Sequence, residues 1–183
     1  MQYPSDIMEE VLFTEDQIRA RAKELAKQIS KDYANKDLVI VCTLKGATLF
    51  FGDLVKNIDI NCNLEFIKAS SYIGNTTMTI GNVQISKVMT FDIEGKDILI
   101  IEDIVDTGLT YESLHKYFTE RKCASINICT LLDKPSRRQV SVEVKYIGFE
   151  IEDKFVIGYG LDYNEAYRNI PCVGVINKKY IYN

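Results

Sequence analysis

The stretch from Ile98 to Thr110 limits the possible folds of this chain more than any other. It opens with four consecutive apolar residues, Ile98 to Ile101, which is the pattern of a strand covered on both faces. Two acids follow, then Asp106-Thr107-Gly108, and then apolar residues at helical spacing. Because such a strand needs helices above and below it, the stretch predicts an open α/β sheet with a loop where the strand passes into a helix.

The remainder of the chain continues this alternation of helices and strands. Thr14 to Gln17 has the pattern of a capping box, and helical spacing continues as far as Ile29. Leu38 to Cys42 is a second apolar run, with a short helix expected after it. The other predicted elements are strands at Leu64–Ser70, Ile126–Leu132, Val142–Tyr146, Phe155–Tyr159 and Cys172–Ile176, a hairpin arm at Ile80–Met89 and a helix at Thr110–Thr119. We expect an α/β fold with a mostly parallel twisted sheet flanked by helices.

Composition and charge exclude several classes of protein. The chain has 183 residues without a repeat, low-complexity tract or linker, so a single domain over residues 1–183 is expected. No apolar run approaches the roughly 20 residues that span a membrane. A net charge of −4 disfavours a nucleic-acid surface. Five cysteines without a C-x-x-C pair, and no basic-then-apolar leader, favour a cytoplasmic protein with reduced thiols.

His115 is the only histidine, so it would have to serve any site that needs an imidazole. Its neighbours have amphipathic helical spacing, and we interpret it as a residue of a helix face rather than as a base. The spacing of histidine and cysteine does not fit a zinc site either.

The loop after the strand has the residue types that hold a phosphate. Gly108 allows backbone amides to come close to an anion. The hydroxyls of Thr107 and Thr110 add donors, and the start of a helix favours negative charge. The alternative is that these residues form an ordinary turn that caps the helix.

The acids of the same stretch need a separate explanation, because carboxylates repel a phosphate. Glu102 and Asp103 make sense if they accept hydrogen bonds from sugar hydroxyls, or if a divalent cation lies between them and the phosphate. Asp106 lies in the loop, closer to a reacting base, and is the best candidate for general acid or base catalysis. As an alternative, Glu102 and Asp103 simply end the strand.

The stretch from Ile98 to Thr110 also resembles the phosphoribosyl-pyrophosphate-binding motif of the type I phosphoribosyltransferases. Further motifs narrow the resemblance to the hypoxanthine(-guanine) phosphoribosyltransferases, over roughly Leu38 to Ile176. These motifs are Leu44-Lys45-Gly46, Ser71-Tyr72, Lys134 after Leu131-Leu132-Asp133, Gly148 to Tyr159, Leu161 to Glu165, and Arg168. Several linked motifs in order are more specific than any one of them.

The resemblance implies a fold and an activity. The fold is that of the type I phosphoribosyltransferases, with a small hood built from the terminal segments. The activity is purine salvage, in which the 5-phosphoribosyl group of phosphoribosyl pyrophosphate passes to hypoxanthine or guanine. The products are IMP or GMP and pyrophosphate, and the cofactor is Mg²⁺. Relatives form dimers and tetramers, so a homodimer or homotetramer is expected.

By resemblance, the phosphoribosyl group lies at the carboxyl end of the strand. Glu102 and Asp103 would bind the ribose hydroxyls, directly or through Mg²⁺. Asp106 would take the proton from the purine N7 as N9 attacks. The residues implied in holding the 5′-phosphate are Asp106, Thr107, Gly108, Leu109 and Thr110.

The resemblance places pyrophosphate near Lys45, Gly46 and Arg168. Lys45 and Gly46 would bind it through backbone amides, and the peptide before the lysine can be cis in this family. Asp162 would hold a second Mg²⁺ and lie near the purine 2-position. From the residues alone, Lys45 could equally be solvated, Asp162 a turn cap and Arg168 part of a surface ion pair.

The purine is placed by resemblance near Lys134, which would donate to O6 and so discriminate against adenine. Phe155 would stack on the ring, and the backbone of Val156 would contact its edge. Ser71 and Tyr72 belong to a loop that closes over the site. From the residues alone, Lys134 belongs to a solvated basic cluster and Phe155 to a core strand.

Two other functions stay open on the sequence. The first is a relative that prefers xanthine or adenine; Lys134 and Phe155-Val156 disfavour adenine but not xanthine. The second is a nucleotide-sensing regulator that keeps the phosphoribosyl site and binds RNA. The acidic charge balance disfavours this regulator.

Overall fold

The computed structural model describes residues 4–70, 79–80, 83–87 and 92–181, with the backbone alone for 69–70, 79–80 and 83–87. A capping box of Thr14 and Gln17 starts the first helix, as predicted. In chain order the elements are β1 (Met8–Phe13), α1 (Glu15–Asp32), β2 (Leu38–Leu44), α2 (Thr48–Val55), β3 (Asn63–Ser70), β4 (Thr79–Ile80), β5 (Val83–Lys87), β6 (Asp97–Val105), α3 (Leu109–Thr119), β7 (Ser125–Asp133), β8 (Tyr146–Glu150), β9 (Val156–Ile157) and β10 (Val173–Ile176). Two single-turn 3₁₀ helices lie at Pro135–Arg137 and Lys178–Tyr180.

The main sheet contains seven strands in the order β4-β5-β3-β2-β6-β7-β8. The strands from β3 to β8 in this order are parallel, and the hairpin of β4 and β5 adds antiparallel strands beside β3. This confirms the predicted mostly parallel sheet. From β2 the chain moves outward to β3, and from β6 it moves outward in the other direction, so the strand order reverses between β2 and β6. Open α/β sheets bind ligands at such a reversal, outside the carboxyl ends of the strands.

Helices cover both faces of the main sheet. Ile40 and Cys42 of β2 belong to an apolar cluster with α1 and α2, whereas Val39 and Val41 belong to a second cluster with α3. Successive side chains of a strand point to opposite faces, so every residue of the run is buried. This two-sided burial explains the continuous apolar runs of β2 and β6.

A smaller antiparallel sheet is built from the two ends of the chain. β1 pairs with β10, and β10 pairs with β9. This confirms the expected hood of terminal segments. The strand β1 itself was not predicted, because Glu9 and Glu10 interrupt the alternation of apolar and polar residues on which strand prediction depends.

The strand predicted at Val142–Tyr146 is wrong in its position. Strand β8 begins only at Tyr146 and continues to Glu150. Val142 and Val144 are apolar because they pack on the α3 side of the sheet, not because they pair with β7. The apolar pattern therefore identifies a packed loop as well as the strand that follows it.

The strand predicted at Phe155–Tyr159 is shorter than expected. It is reduced to β9, because a tight turn follows in which Tyr159 and Gly160 both have positive φ. The hairpin arm predicted at Ile80–Met89 corresponds to β4 and β5, and its last residues lie outside the described part of the chain.

Within the described part of the chain, no helix combines the length and apolarity that crossing a bilayer requires. His115 is exposed on α3, which confirms its interpretation as a residue of a helix face.

Candidate active site

A crevice opens between β2 and β6 where the strand order reverses. The two strands pair from Leu38–Asp97 as far as Cys42–Ile101. Beyond that point β2 stays beside β3 and β6 stays beside β7, so their carboxyl ends diverge and enclose a cavity of about 310 Å³. The predicted site residues that line this cavity are Lys45, Gly46, Glu102, Asp103, Asp106, Thr107, Gly108, Thr110, Asp162 and Arg168.

Glu102 and Asp103 lie inside β6, which continues to Val105, rather than at the end of the strand as the sequence suggests. Glu102 is buried, and its Oε2 accepts a hydrogen bond of 2.6 Å from Thr43 Oγ1. Its Oε1 is buried without a partner among the described residues. Burial and the neighbouring Asp103 carboxylate raise the pKa of Glu102 well above its usual range. A cation or a hydroxyl donor at Oε1 would remove this unfavourable burial.

Asp103 packs against Gly46, and Gly46 in turn packs against Gly160. A Cβ on Gly46 would lie 1.6 Å from Asp103 Oδ2, so only glycine fits there. A Cβ on Gly160 would lie 1.9 Å from the Gly46 carbonyl oxygen. These contacts hold β6, the end of β2 and the turn around Gly160 together. Burial raises the pKa of Asp103. The peptide between Leu44 and Lys45 is cis, as the resemblance allows.

The loop between β6 and α3 leaves the start of the helix open to the cavity. Gly108 is the N-cap, with a φ of +87°, and the helix has no side-chain cap. The first amides of a helix have no acceptor within it, so this helix start is suited to an anion. The alternative of a turn that caps the helix is confirmed in part, because Gly108 is the N-cap and Thr107 Oγ1 accepts the Leu109 N–H at 3.4 Å, but the Asp106 side chain does not cap the helix. Leu109 is exposed and does not line the cavity, so it can offer only its backbone.

The basic cluster after β7 contacts the loop between β6 and α3, and only part of the cluster faces solvent. Arg138 is largely buried, donates to the carbonyl oxygen of Asp106 at 2.6 Å and pairs with the Asp133 carboxylate. Arg137 Nε donates to Asp106 Oδ1 at 3.1 Å. Both the backbone and the side chain of Asp106 are thus held from the 3₁₀ helix that follows Lys134.

Lys134 is a buried lysine, so the solvated alternative for it is wrong. It is 6% exposed, and its Nζ donates to the carbonyl oxygen of Lys154 at 2.6 Å. The same Nζ lies 3.7 Å from Asp153 Oδ1. The ammonium group is therefore fixed beside the segment that leads into β9, and it retains donor capacity beyond the carbonyl contact.

Phe155 lies at the surface and not in the core. It is 49% exposed, and its ring meets Tyr163 edge to face with 5.7 Å between centroids. The adjacent Val156 is buried in the hood. One face of an aromatic ring is therefore accessible next to Lys154, whose carbonyl binds Lys134.

The side chains of Asp162 and Arg168 pair with each other, with 2.8 Å between Oδ1 and Nη2. Asp162 Oδ2 also accepts the Glu165 N–H at 2.9 Å, so the turn-cap and ion-pair alternatives are both confirmed as contacts. Arg168 Nη1 donates to the Gly160 carbonyl at 2.8 Å. Lys45 Nζ lies 2.6 Å from Glu165 Oε2, which lowers the pKa of Glu165. Both cations line the cavity while they contact acids of the same turn.

The closing loop predicted at Ser71 and Tyr72 lies outside the described residues. Among the residues that are described, no three acidic, histidine or cysteine side chains form a group that could hold a metal. The acids of the cavity instead occur as the pair Glu102–Asp103 and as the separate residues Asp106 and Asp162. Few carboxylates suit Mg²⁺, which usually keeps water or phosphate oxygens as its other ligands.

Two contributors to the site were not found from the sequence. Thr43 is a hydroxyl residue at the end of the apolar run of β2, and this position could have identified it as a partner of Glu102. Gly160 was not assigned a role, although a second glycine soon after Gly158 is a signal of tight turns. Its contact with Gly46 depends on residues 114 positions apart and cannot be found in a local pattern.

Comparison with known proteins identifies the class to which this fold and site belong. Residues 12–164 match the family described as the phosphoribosyl transferase domain. The hypoxanthine-guanine phosphoribosyltransferase of Staphylococcus aureus strain Mu50 is 48% identical over 176 residues, which are 96% of this chain and 98% of that protein.

Solved structures agree with this result. A crystal structure of a hypoxanthine phosphoribosyltransferase from Staphylococcus aureus has a TM-score of 0.90 and 48% identity, and the match covers 97% of this chain and 96% of the other. A structure described as a hypoxanthine-guanine-xanthine phosphoribosyltransferase has a TM-score of 0.84 and 38% identity, with 94% and 99% covered. The chain belongs to the phosphoribosyltransferase family, and within it to the hypoxanthine-guanine phosphoribosyltransferases.

Proposed function

We propose that this protein is a purine salvage enzyme that transfers the 5-phosphoribosyl group from phosphoribosyl pyrophosphate to hypoxanthine and to guanine, with release of pyrophosphate. One observation carries the proposal: the crevice at the strand reversal brings together the buried acids of β6, the open start of α3 and the backbone at Gly46. A phosphorylated sugar with a diphosphate at C1 needs all three. The family membership of the chain supports the same reaction.

In this reaction the purine N9 forms a bond to C1 of the ribose, and the bond from C1 to the pyrophosphate oxygen breaks. C1 becomes cation-like as the pyrophosphate leaves, so catalysis consists of holding both partners in line and stabilising the leaving group. The amides and hydroxyls of Asp106–Thr110 hold the 5′-phosphate. Glu102 and Asp103 hold the ribose hydroxyls.

Asp106 accepts the N7 proton of the purine as N9 attacks. The reaction needs its carboxylate form, and the contact of Arg137 Nε with Oδ1 orients the side chain. Arg138 fixes the backbone of the same residue. The base is thus positioned from two sides by the 3₁₀ helix after β7.

The purine is selected by the lysine beside the hood. Lys134 donates to O6 of a 6-oxopurine, and the 6-amino group of adenine would present a donor to a donor. The Lys154 carbonyl keeps the ammonium in place. Phe155 stacks on the ring with its accessible face, and the backbone of Val156 contacts the ring edge.

Mg²⁺ fits the donor set of the site. The unpartnered Oε1 of Glu102, the adjacent Asp103 and, for a second ion, Asp162 are oxygen ligands beside the phosphate positions. When bound, the metal neutralises charge on the ribose-diphosphate and the leaving pyrophosphate. The backbone at Lys45 and Gly46 and the guanidinium of Arg168 bind the pyrophosphate directly.

A steady-state assay tests the proposal. The protein is mixed with Mg²⁺, phosphoribosyl pyrophosphate and one of four purines, and nucleotide formation is followed by absorbance. We expect turnover with hypoxanthine and guanine and none with adenine. Absence of turnover with both 6-oxopurines, together with tight binding to RNA, would instead support the nucleotide-sensing regulator.

Xanthine is a second candidate substrate. It is favoured by the similarity to the structure described as a hypoxanthine-guanine-xanthine phosphoribosyltransferase. The same assay decides this point, because xanthine differs from guanine only at the 2-position, near the place that we propose for Asp162.

The proposal extends to the whole protein. We place it in the cytoplasm as a single domain over residues 1–183 that assembles as a homodimer or homotetramer. The match of residues 12–164 to one family supports the single domain, the free cysteines support the location, and the assembly is taken from the family resemblance. Light scattering coupled to gel filtration would measure the assembly, and a monomeric mass would contradict it.

A further inference from the structure

A second tight turn lies beside the cavity, between Tyr163 and Ala166, which form a two-residue hairpin. Its central residues, Asn164 and Glu165, have φ values of +51° and +62°. Hairpin turns of this kind favour glycine and asparagine, because other side chains are strained in the left-handed region. A glutamate at this position therefore indicates a functional role for its side chain.

The Glu165 carboxylate contacts both cations that line the cavity. Its Oε2 lies 2.6 Å from Lys45 Nζ, and its Oε1 lies 3.4 Å from Arg168 Nη2. Glu165 does not line the cavity itself and is largely exposed, so it reaches the two cations from the rim. Its N–H is fixed by Asp162 Oδ2, which holds the turn in the position that allows both contacts.

We propose that Glu165 is an internal counter-ion, whose carboxylate competes with pyrophosphate for Lys45 and Arg168 and so sets the affinity for this product. The inference rests on the proposed function, which assigns the Lys45 backbone and the Arg168 guanidinium to the pyrophosphate subsite, and it adds the Lys45 ammonium group to that subsite. An anion that enters the subsite displaces the carboxylate and takes over its two contacts. When pyrophosphate leaves, the carboxylate returns and gives the Lys45 ammonium group its negative partner again, whereas Arg168 also pairs with Asp162 at 2.8 Å.

Competition and a supporting role predict opposite changes in the affinity for pyrophosphate. If Glu165 competes, removing its charge strengthens pyrophosphate binding, because no contact has to be broken first. If Glu165 only orients Lys45 for the ligand, removing its charge weakens binding. The expected change is about two- to fivefold in the dissociation constant, as is usual for exposed ion pairs.

The test is a calorimetric titration of the wild-type protein and the Glu165→Gln variant with pyrophosphate in the presence of Mg²⁺. Glutamine keeps the length of the side chain and the backbone preference, and removes only the charge. Glu94→Gln is the matched control, because Glu94 is exposed, lies 3.6 Å from Lys122 and precedes β6 at the end opposite to the cavity. We expect about two- to fivefold tighter binding by Glu165→Gln and no change for Glu94→Gln.

Ionic strength gives a second readout. The difference between wild type and Glu165→Gln should shrink in about 1 M salt, because exposed charges are then screened within a few ångströms. If Glu165→Gln does not fold, Glu165→Asn replaces it, since asparagine tolerates the left-handed region.

The outcomes separate the two proposals. Suppose that the wild type binds pyrophosphate and that Glu165→Gln binds it equally well or more weakly. This result overturns the role of Glu165 and leaves the proposed function intact. Absence of pyrophosphate and phosphoribosyl pyrophosphate binding by the wild type overturns the proposed function and, with it, this inference.

Discussion

At the scale of single residues, the chemistry that we propose depends on side chains whose positions are set by neighbours distant in sequence. Asp106 is held by Arg137 and Arg138. Lys134 is held by the carbonyl of Lys154, which precedes β9 of the hood. The local sequence identifies Asp106 as a candidate and the family resemblance adds Lys134, but neither connects the two arginines with Asp106. The reason is that the chain returns to the loop only after passing through β7.

Replacement of Asp106 by asparagine tests its role as base. Asparagine has the same shape but cannot take the purine proton, so we expect kcat to fall by about 10²- to 10⁴-fold. Binding of phosphoribosyl pyrophosphate should change little, because the loop amides and hydroxyls are kept. Steady-state kinetics and calorimetry measure the two effects, and an unchanged kcat would remove Asp106 from this role.

Replacement of Lys134 by alanine tests purine selection. The variant loses the donor to O6, so we expect the KM for hypoxanthine to rise about tenfold or more, while the preference over adenine relaxes. Lys154→Ala is the control, because its side chain pairs with Glu10 and its carbonyl, which binds Lys134, is retained. Unaltered hypoxanthine affinity in Lys134→Ala would show that the purine is bound elsewhere.

At the scale of elements, the apolar pattern predicts the buried parallel strands well and the hood poorly. β2 and the first half of β6 are covered by helices on both faces, so each contains a continuous apolar run that identifies it as a buried strand. β1 and β9 belong to a small sheet with exposed residues, and their pairing is decided by the distant β10. The position predicted for β8 is wrong for another reason, because Val142 and Val144 are apolar residues of a loop that packs on the α3 side of the sheet.

Two glycines, Gly46 before α2 and Gly52 within it, allow a paired test at the scale of elements. A Cβ at Gly46 would overlap Asp103, so Gly46→Ala should displace β2 from β6, lower the melting temperature and weaken pyrophosphate binding at least tenfold. Gly52 lies within α2, and a Cβ there has no atom within 4 Å. Gly52→Ala should therefore stabilise the helix by about 0.5–1 kcal/mol, without loss of activity.

Calorimetric melting and pyrophosphate titration of both variants measure these effects. Equal behaviour of Gly46→Ala and Gly52→Ala would show that the contact between β2 and β6 at this point is not needed for the site.

At the scale of the whole molecule, the site joins parts of the chain that fold as different layers. β2 and β6 belong to the main sheet, whereas Asp162 and Arg168 lie in the segment that connects β9 to β10 of the hood. A ligand that contacts both parts stabilises the native molecule against unfolding, by an amount that depends on its concentration relative to its dissociation constant.

Thermal unfolding tests this linkage. At about 100 times its dissociation constant, phosphoribosyl pyrophosphate with Mg²⁺ should raise the melting temperature by roughly 5–10 °C. Removal of the metal with EDTA should abolish most of the increase, because the carboxylates of Glu102 and Asp103 would then face the phosphates directly. An increase of the same size in EDTA would contradict the metal-dependent binding that we propose.

The sequence by itself determined the parallel sheet and the loop after β6 with its acids, because burial on two faces and the loop chemistry are local properties. It indicated Lys45, Gly46, Asp162 and Arg168 only through the resemblance to a known family. Only the tertiary structure decided that Lys134 is buried, that Phe155 is exposed and that Gly46, Asp103 and Gly160 are in contact. It also decided that Glu165 pairs with both Lys45 and Arg168. The physical reason is that burial and charge pairing depend on which distant segments come into contact, and the pattern within one segment does not determine those contacts.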